Sequence, residues 1–187
     1  MKISKEKMLE YVIELASRAK VKTAIGGGVA VCAHGYRRDT SDVDAFFHRS
    51  DRQKVLRAIH ESDDSFMLDQ IDPSHYILVP EGNSVDERID LMFVAEDPEE
   101  RAIEMPTIKK YHGYSIPVFP IDLLIAAKLM ANREDPKDAL DIYTLWKRGA
   151  YDMEDVQKRL QQMGFSEDAE NLPKLITYLE NIPRKKK

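Results

Sequence analysis

Two aspartates set inside an apolar run limit what this chain can become. In "DTSDVDAFF", residues 39 to 47, Val43, Ala45, Phe46 and Phe47 suit a buried strand, yet Asp42 and Asp44 stand among them. Side chains alternate faces along a strand, so the two carboxylates share a face, roughly 7 Å apart along the chain. Like charges on a half-buried surface repel and cost free energy to desolvate, so something must compensate. A divalent cation does this for both at once, because Mg²⁺ favours hard oxygen ligands. A third acid, Asp90 in "RIDLMFV", interrupts another apolar strand whose Ile89, Leu91 and Phe93 take the opposite face. If the two strands are neighbours, three carboxylates form a site for one or two ions. The alternative is that each aspartate caps a turn or pairs with an arginine such as Arg38 or Arg88.

The glycines add to this. "IGGGVA" stands where a strand becomes a helix. Glycine there lets backbone N–H groups approach a ligand, and a helix N-terminus favours anions; an ordinary tight turn is the plainer reading. The run lacks the Gly-Lys-Ser/Thr ending of a P-loop and the spacing of a dinucleotide fingerprint. Followed closely by paired carboxylates, it gives the phosphate cradle and metal strand that nucleotide chemistry needs.

These residues resemble the signature of the nucleotidyltransferase superfamily with the DNA polymerase β-type fold. Gly27-Gly28 is followed, after thirteen residues (29 to 41), by Asp42-x-Asp44, and Asp90 in "IDLMF" matches the third acid on a later strand. The form "GGxAxxxHGxxRxTxDxD" is similar to the AbiEii-type toxin branch. So is "KLMANREDPKDALD", which supplies Lys128, Ala131, Arg133, Lys137, Asp138 and Asp141. The resemblance covers residues 22 to about 146, though this chain is shorter than the full toxins. It implies an α+β fold, with a mixed-sheet core flanked by helices and a C-terminal helical region.

It also implies Mg²⁺-dependent transfer of an NMP from an NTP to a hydroxyl, with two ions on Asp42, Asp44 and Asp90 and Mn²⁺ able to substitute. Gly27, Gly28, Arg38, Thr40 and Lys128 are the expected nucleotide-binding residues, and Asp138 and Asp141 are secondary members of the site. RNA such as tRNA or a protein is the implied acceptor, and the range extends to a toxin with a cognate antitoxin. A silent nucleotide-binding or toxin–antitoxin partner module on the same fold is the alternative.

Several residues carry plainer readings. Lys128, the one charge in "LLIAAKLMA", can pack its stem and send its ammonium to water. Asp138 and Asp141 share a helix face and can complement the helix dipole. His34 suits the end of a short helix. His48, His60, His75 and His112 form no metal-ligand spacing.

Elsewhere the chain is ordinary. Its 187 residues, 43% apolar and 33% charged, describe a soluble globular protein, and no run reaches the roughly 20 apolar residues that span a bilayer. The net charge of −5 gives no general attraction to nucleic acid, which weakens an RNA-binding role. The single cysteine, Cys32, fits packing in a reducing cytoplasm. The "RKKK" end reads as solvated tail.

Periodicity predicts a helix in residues 1–20, a short strand into the glycines, and a compact helix in "GVAVCAHGY". A strand in "DVDAFF", a helix in "DRQKVLRAIHES", strands in "HYILVP" and "ERIDLMFVA", and a hairpin about His112-Gly113 follow. From Pro120 the pattern is helical, with Pro136 and Gly149 as breaks. Residues 1–118 are thus expected as the α/β core and 119–187 as a helical region packed on it.

Overall fold

In the computed structural model, which describes residues 2–62, 66–131 and 136–181, the first helix forms where the apolar spacing places it. α1 (Lys5–Ala19) begins at Ser4, whose hydroxyl accepts the Lys7 N–H, and it buries Met8, Leu9, Val12 and Leu15. It ends as Lys20 turns left-handed at φ 55°. β1 (Ala24–Ile25) is only two residues long and leads through Gly26 into α2 (Gly27–Ala33). β2 (Val43–His48) follows, with Val43, Ala45 and Phe47 buried and Asp44, Phe46 and His48 on the half-open face.

α3 (Arg52–His60) follows a short 3₁₀ turn and packs against α1. β3 (Phe66–Asp72), β4 (His75–Pro80) and β5 (Ile89–Val94) then form an antiparallel ladder. α4 (Glu99–Glu104) leads to the hairpin of β6 (Thr107–Tyr111) and β7 (Tyr114–Val118). At its tip His112 (φ 47°) and Gly113 (φ 87°) are both left-handed, as the tightest hairpin turns require. Four helices complete the fold: α5 (Ile121–Met130), α6 (Pro136–Lys147), α7 (Met153–Gln162) and α8 (Ser166–Asn181).

The sheet has seven strands in the order β3-β4-β5-β2-β1-β7-β6. β2 runs parallel to β5 and antiparallel to β1, and β1 runs parallel to β7, so the sheet is mixed as expected. One hydrophobic core runs from Met8 through Val43, Phe93 and Val118 to Leu124, Leu145 and Ile176. The helices after Val118 therefore bury their apolar faces in the same core as the sheet.

Two elements escape the sequence reading. β3 is an edge strand with Asp69, Gln70, Ile71 and Asp72 all exposed, so its alternation is lost. α4 has six residues, too few to display a helical period, and only Ala102 and Ile103 are buried. Arg133 and the basic tail lie outside the described residues.

His34 closes α2, and its ring Nε2 meets the Phe119 carbonyl oxygen at 2.8 Å, tying α2 to the start of the helical region. Burial holds its pKa below the usual 6.5, although the Phe119 contact works the other way. The folded state therefore binds fewer protons than the unfolded one. His34's contribution is complete above pH 6.5 and is lost as pH falls through the lowered folded value. Denaturant midpoints measured from pH 7.5 to 5 should fall for the wild type, and the decline should be shallower in His34→Gln.

Candidate active site

The register places the acids together. Asp44 on β2 pairs directly with Asp90 on the parallel strand β5, so both side chains stand on one face, one strand spacing apart. Asp42, one residue before β2, points to the same side by the period of two. Asp42, Asp44 and Asp90 each offer a carboxylate oxygen, and all three oxygens lie within 4.8 Å of one another. Among the described residues this is the one cluster of its kind.

Such crowding of like charge needs donors, and the chain supplies them. The Thr40 hydroxyl donates to Asp42 Oδ1 at 2.8 Å. His75 Nε2 donates to Asp90 Oδ1 at 2.7 Å, and Arg88 Nε donates to Asp90 Oδ2 at 2.9 Å. The Asp90 hydrogen bond raises the Arg88 pKa against the cost of burial, and the charges of Asp90, Asp42 and Asp44 add to the effect. The arginine alternative is thus realised at Asp90, alongside convergence of the three acids. Arg38 pairs elsewhere. The donor set is hard oxygen at chelating separation, which fits Mg²⁺ or Mn²⁺.

The glycine turn packs against this group. Gly27 adopts φ 51°, and a Cβ there would lie 1.7 Å from Asp44 Oδ2. A Cβ on Gly28 would lie 2.4 Å from Thr40 Oγ1. Both positions exclude a side chain because the turn sits directly on the carboxylate and its supporting threonine. Gly27→Ala should displace Asp44 while leaving the core intact. Titration with Mn²⁺ should show an affinity lower by roughly 10-fold or more, with unchanged far-UV circular dichroism.

A second charged group flanks the first. Arg38 grips Asp141 with two hydrogen bonds, Nε–Oδ1 at 2.8 Å and Nη2–Oδ2 at 3.0 Å. Lys128 Nζ reaches the same carboxylate at 2.8 Å and Asp138 Oδ1 at 2.5 Å. Asp141 is 1% exposed and the Lys128 side chain 7%. Burial opposes the Arg38 charge, but the hydrogen bonds and charge of Asp141 prevail and raise its pKa. The sequence leaves Lys128 free to send its ammonium to water; instead it is buried between two acids, because α5 and α6 pack together. Asp138 and Asp141 thus bind side chains, whatever they add to the helix dipole. Asp141→Asn weakens the charge that holds both cations, and it should lower stability by about 3–5 kcal/mol, read from urea unfolding. Lys128→Met in the same chain should recover part of that loss.

A cavity of about 1160 Å³ joins these groups. Gly27, Gly28, Arg38, Thr40, Asp42, Asp44, Lys128 and Asp138 all line it. Asp90 and Asp141 are buried and do not line it; Asp141 is bonded to Arg38 and Lys128, which do, and Asp90 stands beside the lining residue Asp44 in the register. Sequence reasoning passed over His75, which becomes visible only once β4 is paired with β5. It also passed over Phe46, Met92, Glu99 and Phe119 as lining residues, since no motif marks them.

The fold agrees with that of known nucleotidyltransferases. A candidate nucleotidyltransferase from H. pylori superposes with a TM-score of 0.52 at 17% identity, covering 96% of each chain. The lincosamide antibiotic adenylyltransferase LnuA, with lincomycin bound, gives 0.53 at 20% identity over 80% of this chain and 100% of its own. The antibiotic-resistance factor ANT(2'')-Ia gives 0.52 at 14% identity over 92% and 89% of the two chains. At such identities the likeness is one of fold, and this chain has the nucleotidyltransferase fold. No protein-family model matches the sequence, and no curated protein matches it. No helix among the described residues is long and apolar enough to cross a membrane.

Proposed function

We propose that this chain is a divalent-metal-dependent nucleotidyltransferase, moving an NMP from an NTP to a hydroxyl acceptor. The observation that carries the reading is the meeting of Asp42, Asp44 and Asp90 within 4.8 Å beside the Gly27-Gly28 turn. The shared fold with LnuA, an adenylyltransferase, supports nucleotide transfer in general.

Asp42 and Asp44, with Asp90, are the residues that would hold Mg²⁺, two ions being the natural complement of three acids; Mn²⁺ suits the same oxygens. When bound, the metal supplies positive charge against the attacking and departing oxygens. Thr40 orients Asp42, and His75 with Arg88 orients Asp90, so neither carboxylate must be ordered at the moment of reaction. Asp90 aligns the acceptor hydroxyl. The acceptor oxygen forms its bond to the α-phosphorus as the bond to the β-phosphate oxygen breaks, releasing pyrophosphate and the hydroxyl proton. Gly27 and Gly28 bring backbone near the phosphates, and Arg38, Thr40 and Lys128 stand beside them, with Asp138 and Asp141 fixing the two cations. An RNA such as tRNA or a protein as acceptor, and a toxin role with a cognate antitoxin, rest on the AbiEii-like motif alone.

Incubation with each labelled NTP, Mg²⁺ and candidate acceptors tests the proposal. Asp42→Asn and Asp44→Asn should each cut transfer by roughly 10²-fold or more, while thermal stability holds or rises as repulsion is relieved. Transfer at the wild-type rate in either variant rejects the assignment. An NTP that binds and is never consumed favours the non-catalytic module.

A further inference from the structure

The cavity does not end at the carboxylates. Two residues beyond Asp44 on β2 stands Phe46, and two beyond Asp90 on β5 stands Met92, its neighbour in the register. Both share the face of the acids, roughly 7 Å further along the sheet. The Phe46 ring packs on Phe119 with centroids 4.7 Å apart, and α5 adds Leu124 to the same lining. The floor therefore changes from carboxylate to aromatic and aliphatic within one step.

At this lobe stands Glu99, the first residue of α4, which packs against β2 and α5. It is half-buried and lines the cavity. Among the described residues none forms an ion pair with it. Burial lifts its pKa, and the nearby Asp97 and Glu96 push the same way. A desolvated carboxylate over an aromatic floor, lacking a cation of its own, is set up to receive one.

The cations that line the cavity are Lys2 and Lys5 on the N-terminal segment, Arg38 beside the glycine turn, Lys128, which Asp138 and Asp141 hold, and Lys137 on α6; none of them forms an ion pair with Glu99. These cations offer partners for phosphates, whereas a polyanionic RNA backbone would meet Glu99 unfavourably. The volume of about 1160 Å³ accommodates an NTP together with a small second molecule.

We propose that the lobe formed by Phe46, Met92, Phe119, Leu124 and Glu99 is the acceptor subsite, and that the acceptor is a small hydroxylated molecule bearing an ammonium group. The ammonium pairs with Glu99, the carbon skeleton rests on Phe46 and Met92, and a hydroxyl reaches back towards the carboxylate cluster, of which Asp42 and Asp44 line the cavity. This inference rests on the transfer reading above for the word acceptor, but its binding test does not.

Glucosamine, deoxystreptamine and tobramycin are titrated calorimetrically into the nucleotide-free chain, each beside its N-acetylated form, which keeps the hydroxyls and removes the charge. At least one amine should bind, with affinity lower by about 10-fold or more for its acetylated form and in Glu99→Gln, as loss of a charged hydrogen bond predicts. Equal binding of amine and amide, undiminished binding in Glu99→Gln, or no binding by any of the three overturns the subsite. The acetylated pair keeps the proposal testable should Glu99→Gln misfold. NTP binding measured in parallel reads the transfer proposal separately, so its loss leaves the amine result standing.

Discussion

Two carboxylates facing each other across parallel strands set the terms for the rest of the fold. Asp44 and Asp90 are direct partners in the ladder, and Asp42 joins them from the strand's approach. Left alone, the trio would push against the hydrophobic packing of Val43, Ala45, Ile89 and Leu91 on the other face of the same two strands. Thr40, His75 and Arg88 offset part of that repulsion, and each comes from a different place: the loop before β2, the start of β4, and the residue before β5. Asp42 and Asp90 consequently hold positions fixed by three segments, and Asp42 and Asp44 line the cavity, where a further cation would fit.

The second charged group explains how the later helices belong to the same site. Arg38 precedes the acidic strand, Lys128 lies on α5, and Asp138 and Asp141 lie on α6. Two cations and two anions balance inside this group, which makes burial tolerable. Because Arg38 also lies beside Gly28, the network links α6 to the turn that sits on Asp44. A phosphate arriving near Arg38 and Lys128, as the proposed function implies, would compete with Asp141 and Asp138 for the same donors. Binding would therefore register as a change in how α5 and α6 hold the loop.

Much of this was legible in the sequence because it depends on short-range pattern. The period of two puts Asp42 and Asp44 on one face, and the apolar context of Asp90 marks it as unusual before any partner is known. The helices from α5 onward declare themselves by spacing and by Pro136 and Gly149. What stayed hidden depends on pairing between distant segments. His75 reaches Asp90 only because β4 lies antiparallel to β5, and periodicity carries no register. Lys128 reads as a charge bound for water until α6 is known to cover it. Glu99 follows a strand by five residues in a helix too short to show a period, so its place in the cavity comes from the path of the loop.

The glycines join the two levels of explanation. The sequence motif presents them as room for a ligand, whereas the fold gives them a prior duty. At Gly27 a Cβ would overlap a carboxylate oxygen of Asp44, and at Gly28 it would overlap the hydroxyl that orients Asp42. Under the proposed function, tight packing of backbone on acids and close approach of phosphate to backbone are one geometric requirement, because a bound phosphate would have to lie beside the ions those acids would hold. A turn that left space for side chains would separate the phosphates from the carboxylates by that same space. The absence of Cβ atoms at 27 and 28 is thus what would let a phosphate site and a metal site share a wall.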